Sequence, residues 1–154
     1  MIEWKQKRII DANIEKVWEL FKDAHIQKIM PKLERHSLIE KREDEVGAKH
    51  EQTYRQGSRL ETYIVETVAY KDTPDEKLKQ LHFVLANLFE IDLQFRLQKI
   101  SEQQTRFVYE GSNRGTNLMG RTMLRMGGSK SNMDTVNEFM DLVEAEAVKR
   151  EKNQ

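Results

Sequence analysis

The sequence predicts an α+β fold, a seven-stranded antiparallel sheet with one long C-terminal helix and two short helices after the first strand. Three observations carry this. Apolar residues recur at spacings of three and four only near the start and at the end of the chain. Between Leu33 and Gly111 the period is two. The connections between the alternating segments are short and rich in turn residues, as in Gln56-Gly57-Ser58 and Lys71-Asp72-Thr73-Pro74-Asp75, which implies antiparallel hairpins.

Met1–Ile10 reads as the first strand, with Ile2 and Trp4 apolar before a polar middle. Asp11 or Asn13 can cap a helix whose inward stripe is Ile14, Val17, Trp18 and Phe21. A second short helix over 24–30 must end before Pro31, because a pre-proline residue is pushed out of the helical region. Six strands follow, at 33–41, 46–55, 60–70, 78–86, 89–100 and 105–111. The clearest is 89–100, where Phe89, Ile91, Leu93, Phe95 and Leu97 alternate with Glu90, Asp92, Gln94, Arg96 and Gln98. Met133–Lys152 closes the chain as an amphipathic helix, with Met133, Val136, Phe139, Met140, Val143 and Ala147 on one face and Ser129 or Ser131 as its cap. A shorter helical piece, Leu118–Met126, precedes it, and Gly127-Gly128 interrupts the two.

The 154 residues fit one domain, 1–154, with no repeat and no linker. Twenty-six basic residues balance twenty-six acidic ones, which argues against a nucleic-acid binder. No apolar run is long enough to span a membrane, and Met1–Arg8 carries no secretory-type apolar segment, so the expected location is cytoplasmic. The absence of cysteine removes disulfides, thiolate ligands and a Cys nucleophile. Highly charged outward strand faces favour a monomer or a weak homodimer.

The order and spacing of several segments resemble the START-like helix-grip superfamily, also described as polyketide cyclase/dehydrase or birch-pollen-allergen-like. The segments are Ile10-Asp11-Ala12-Asn13-Ile14-Glu15-Lys16-Val17-Trp18-Glu19-Leu20-Phe21-Lys22-Asp23, Pro31 after the short helix, Val46-Gly47 opening a strand, Thr105-Arg106-Phe107-Val108-Tyr109, and the closing stretch Phe139–Ala147. The resemblance implies a curved sheet wrapped around the C-terminal helix, with an internal cavity that takes lipids, polyketides or other apolar molecules. Some members are enzymes.

Candidate site residues follow from the faces. His50, Gln52 and Tyr54 share a face with Val46 and Ala48, opposite the charged Lys49, Glu51 and Arg55, and suit a pocket with a few hydrogen-bonding groups; mutual satisfaction or a place at the sheet rim explains them equally. In strand 60–70, Glu66 shares a face with Leu60, Ile64 and Val68, while Tyr63, Val65 and Ala69 share the other. Were the first face inward, Glu66 would be a buried acid or base; an edge position or an ion pair is the alternative. Phe95, Phe107, Met133, Val136, Met140 and Val143 complete the expected wall between sheet and helix, as ligand wall or as plain core. Five of the seven methionines lie between Met119 and Met140, a composition that accepts varied apolar shapes.

The four histidines show no i, i+4 pair and no HExxH, His82 falls out of phase with Leu81 and Phe83, and no spacing supplies metal ligands; no metal and no cofactor are expected. Gly111-Ser112-Asn113-Arg114-Gly115-Thr116 matches neither phosphate-binding pattern and reads as a loop after the last strand. Residues 111–133 hold Arg114, Arg121, Arg125 and Lys130 but no acid, which suits an anionic group at the pocket mouth or a solvated face. The leading expectation is a carrier or sensor of a small hydrophobic or amphipathic molecule. An enzyme of cyclase, dehydratase or hydrolase type using Glu66, His50 or Tyr54, and a protein-interaction module, are the alternatives.

Overall fold

A computed structural model describes residues 1–153. The elements, in chain order, are β1 (Ile2–Ile10), α1 (Ile14–Glu19), α2 (Ile26–Ile29), β2 (Leu33–Glu40), β3 (Lys49–Gln56), β4 (Arg59–Asp72), β5 (Glu76–Leu85), β6 (Phe89–Ser101), β7 (Gln104–Gly115) and α3 (Leu118–Lys152). The strands form one antiparallel sheet in the order β1-β7-β6-β5-β4-β3-β2. Every pairing from β2 to β7 is a hairpin, and β1 returns to pair with β7. The α1–α2 segment therefore bridges the two opposite edges of the sheet.

Local chemistry sets the boundaries. Asn13 caps α1 by accepting the Glu15 N–H at 2.9 Å. Gly57 takes φ 63° in the β3–β4 turn. Ala86 and Asn87 both take positive φ, 55° and 56°, at the centre of a turn closed by the Leu88 N–H to the Leu85 carbonyl at 3.0 Å, within the three-residue β5–β6 connection. Asn tolerates that region and alanine does not, so Ala86 is a strained position.

Two boundaries differ from the sequence reading. β7 runs through Ser112, Asn113 and Arg114 to Gly115, where a loop is expected, because Ser112 and Asn113 continue in register with both β1 and β6, and Arg114 and Gly115 with β6. The closing helix starts earlier than Met133: Leu118–Lys152 is two helices in succession, the first capped by Asn117, whose side chain accepts the Gly120 N–H at 2.8 Å. The interruption falls at Gly128, with φ 72° and ψ 167°. A Cβ on Gly120 would lie 2.2 Å from the Leu88 carbonyl oxygen, so a glycine is needed where the helix start meets the β5–β6 turn.

The core lies between α3, the α1–α2 segment and one side of the sheet. Phe21, Phe95, Phe107, Tyr109 and Phe139 form an aromatic cluster, with ring centroids 4.9 Å apart for Phe21–Phe95 and for Tyr109–Phe139. Ile10, Ile14, Val17, Leu20, Leu97, Met140, Val143 and Ala147 pack around it and are fully buried. α3 contacts chiefly β7 and β1, and touches α1 and α2. No helix among the described residues is long and apolar enough to cross a membrane.

Two stability outcomes follow. Phe107→Ala deletes a ring with no exposure at the centre of the cluster, and urea unfolding is expected to show a loss of about 3–5 kcal/mol. Ala86→Gly relieves the left-handed strain and is expected to raise stability by about 0.5–1 kcal/mol in the same assay, as long as the turn keeps its φ values.

Candidate functional site

The concave face of the sheet can be followed strand by strand. On β6 it carries Ile91, Leu93, Phe95 and Leu97, and the register places these opposite Phe83, Leu81, Lys79 and Lys77 of β5. On β4 it carries Tyr63, Val65 and Thr67. A register shift between Thr67 and Ala69 changes the phase there, so Tyr70 and Asp72 also face inward, opposite Lys79 and Lys77. On β3 the inward residues are His50, Gln52 and Tyr54, and on β2 His36 lies opposite Gln52.

Three segments far apart in sequence converge at the β2–β3 side of this face. Asp23, in the turn after α1, places Oδ1 2.8 Å from His36 Nε2 and 2.9 Å from His50 Nε2. Its Oδ2 lies 3.0 Å from His50 Nε2. The two imidazoles stack, with centroids 4.6 Å apart and an interplanar angle of 18°. Gln52 Nε2 lies 2.8 Å from His36 Nδ1. Both histidine side chains are 7% exposed, while the Asp23 side chain is 48% exposed, so the carboxylate is the solvent-facing edge of the cluster. The hydrogen bonds from His36 and His50 hold the Asp23 carboxyl far below the usual carboxylate range.

A recess of about 170 Å³ opens beside the cluster, lined by Trp18, Phe21, Asp23, Glu45, His50, Tyr70 and Lys79. Lys79 donates to the Phe21 carbonyl at 3.1 Å and has no carboxylate within 4 Å among the described residues. Burial pushes the Lys79 ammonium below the usual lysine value, against the pull of the Asp23 and Glu45 carboxylates. Lys77, two residues away on the same face, has the opposite fate. It is 2% exposed, lies 2.9 Å from Glu15 Oε2 and 2.5 Å from Asp72 Oδ1, and is held above the usual value: burial opposes this, and the two carboxylates outweigh it. Burial raises the Tyr70 phenol. The recess thus gathers an ionised carboxylate, an imidazole, a phenol and an amine whose charged form burial disfavours.

Along β5 and β6 the face becomes more open. Phe95 and Leu97 are 3% and 0% exposed, whereas Leu81, Phe83, Ile91 and Leu93 are only half-buried, because α3 lies over β7 and β1 and leaves this side uncovered. Phe83 stacks on Tyr63 at 4.7 Å. In α3, Arg121, Leu124 and Arg125 turn towards Met1 and Ile2 of the β1 edge, where with Arg114 they line a recess of about 690 Å³. Helical geometry puts Met119, Met123 and Met126 on the opposite flank of the helix. These three are 64%, 46% and 83% exposed. The uncovered inner faces of β5 and β6 thus form an open apolar groove, with the Asp23–His36–His50 cluster farther along the same face of the sheet.

The expected site residues divide between these regions. His50 and Gln52 are inward and buried, and Tyr54 is inward and half-buried. Glu66 does not join them. It shares the outer face with Lys49 and His82, while Tyr63 and Val65 of the same strand are buried, so the expectation of an inward Glu66 is corrected. Phe95, Phe107, Val136, Met140 and Val143 are packed into the aromatic core with the half-buried Met133 against them, and line neither the recess nor the groove. His82 is outward, 2.9 Å from Asp92. Asp23, His36 and His50, which no sequence spacing links, place one donor atom each within 4.8 Å of one another. Asp23, His36, Tyr70 and Lys79 are the residues missed. The one signal available for Lys79 is that Lys77 and Lys79 alternate in phase with Leu81, Phe83 and Leu85 on an otherwise apolar face.

Asp23 yields a pH outcome. A carboxyl whose folded-state value lies below its unfolded value near 3.8 contributes stability above that value and loses it as pH falls towards the folded value. In metal-free buffer, thermal melts of Asp23→Asn are expected to lose stability less steeply than the wild type between about pH 4 and pH 2.

No family model matches the sequence, and none of the curated proteins matches it. Solved structures do match in fold. An aromatase/cyclase from Streptomyces is similar over 92% of this chain and 93% of its own, at 12% identity and a TM-score of 0.68. Major latex-like protein 151 of Panax ginseng is similar over 94% and 96%, at 17% identity and a TM-score of 0.66. Norcoclaurine synthase of Thalictrum flavum, in complex with dopamine and hydroxybenzaldehyde, is similar over 96% and 86%, at 10% identity and a TM-score of 0.65. A curved seven-stranded antiparallel sheet gripping a long C-terminal helix is common to them, and this chain has that helix-grip fold.

Proposed function

We propose that the protein binds a small, largely apolar molecule in the groove between the inner faces of β4–β6 and the methionine flank of α3. The polar end of that guest points towards His50, Gln52 and Lys79. The observation that carries this reading is the change along β5 and β6 from a buried core to half-buried Leu81, Phe83, Ile91 and Leu93 on a concave face that no other element covers. Each 100 Å² of apolar ligand surface covered there contributes about 2.5 kcal/mol, and the unbranched methionines adapt to its shape. The norcoclaurine synthase complex supports the reading by analogy of fold, since in that protein the fold accommodates small aromatic molecules.

A second reading, an enzyme of the cyclase, dehydratase or hydrolase type, draws on the recess that joins Asp23, His50, Tyr70 and Lys79. In it Lys79 or the His50–Asp23 pair moves the proton and the groove holds the substrate's apolar part.

Native mass spectrometry of the protein purified from its own cell extract tests binding, and titration with an environment-sensitive apolar dye gives the number. A co-purifying small molecule and saturable dye binding are expected. Phe83→Asp, at a half-buried position, is expected to weaken dye binding at least about tenfold while the far-UV spectrum is kept. A protein that emerges bare and stays bare across a lipid and metabolite panel overturns the proposal.

A further inference from the structure

The Asp23–His36–His50 cluster has a geometry that a hydrogen-bonded trio does not require. Both imidazoles aim Nε2 at one carboxylate, from adjacent strands, with their rings side by side. Two donors about 2.05 Å from an ion and at right angles to each other stand about 2.9 Å apart, and in a tetrahedral site about 3.3 Å apart. The Oδ1–Nε2 separations are 2.8 and 2.9 Å and all three donor atoms lie within 4.8 Å of one another, so an ion enters once Asp23 moves outward and the stacked imidazoles splay until both ring planes meet at it. The half-exposed turn that carries Asp23 allows the first movement, and side-chain rotation of His36 and His50 supplies the second.

We propose that Asp23, His36 and His50 form a binding site for one borderline divalent metal ion of the Zn²⁺, Co²⁺ or Fe²⁺ type. Two imidazoles and one carboxylate are a donor set for such ions rather than for Mg²⁺ or Ca²⁺, which take oxygen. The outer support is present as well. With Nε2 of His36 on the ion, Nδ1 carries the proton, and Gln52 accepts it through its amide oxygen after a half-turn of the amide. Gln52 is 6% exposed and has no room to leave, so it fixes the ring plane of His36. Three protein ligands leave coordination positions free, and the recess containing Tyr70 and Lys79 adjoins them.

The site stands independently of the apolar groove, and its test uses the metal alone. Chelator-stripped protein is titrated with Co²⁺, followed by ligand-field absorption and by calorimetry. One equivalent is expected to bind with a dissociation constant of about 10 µM or tighter. Zn²⁺ is expected to displace it. His36→Ala, His50→Ala and the near-isosteric Asp23→Asn are each expected to weaken binding at least tenfold, and Gln52→Leu about tenfold. His82→Ala, which removes the outward His82–Asp92 pair, is expected to leave binding unchanged. Should the histidine variants fail to fold, Asp23→Asn, at a half-exposed turn, decides the matter. Binding weaker than about 1 mM, or an equal loss in His82→Ala, overturns the site and leaves a hydrogen-bonded trio.

Discussion

Phe139 against Phe95, Phe107 and Tyr109 is the contact on which the arrangement of this molecule depends. It draws α3 over β7 and the adjoining end of β6, and the neighbouring β1 completes the seat. A helix is narrower than seven strands, so anchoring it on one side necessarily leaves the other side bare. The dense core and the open groove are therefore one consequence of a single placement. The same contact accounts for the packing of Val136, Met140 and Val143, which an enclosed central cavity would have left as walls.

The α1–α2 segment has a second role beyond closing the core. It must travel from the β1 edge to the β2 edge, and on that path its turn brings Asp23 over the inner ends of β2 and β3. The carboxylate is thus supplied from outside the sheet, whereas the two imidazoles belong to neighbouring strands. This division of labour leaves the carboxylate as the exposed member of the trio and the imidazoles as its buried ones. Lys77 and Lys79 show how steeply the environment changes within one strand. The first is clasped by Glu15 and Asp72, and the second meets only the Phe21 carbonyl among the described residues.

Much of the fold was legible because each element is locally consistent. The strict alternation from Phe89 to Leu97 and the stripe from Val136 to Ala147 have one interpretation each, and both hold. The end of β7 was not legible because Gly111 and Gly115 carry turn chemistry, which pairing with β1 and β6 at Gly111 and with β6 at Gly115 overrides. Part of the site was legible in His50 and Gln52, whose face is marked by charged neighbours on the other side. Glu66 was misplaced because apolar residues stand on both faces of β4, and only the neighbouring strands decide which is inward. Asp23 and His36 could not be found by spacing. Their proximity is set by a cross-strand register and by a crossover between sheet edges, neither of which leaves a periodic mark. Tyr70 was hidden by a one-residue phase slip at Val68.

Gly128 divides α3 into two parts of unequal anchorage. Beyond it, Val136, Met140, Val143 and Ala147 are buried; before it, Gly120 alone is, at the very start. Neither Gly127 nor Gly128 has a neighbour within 4 Å of where a Cβ would stand. No side chain therefore fills the joint at these two positions, and the segment before it is held at its start, where Gly120 meets the Leu88 carbonyl. A change of angle at that joint would shift Met119, Met123 and Met126 without disturbing a single aromatic contact beneath.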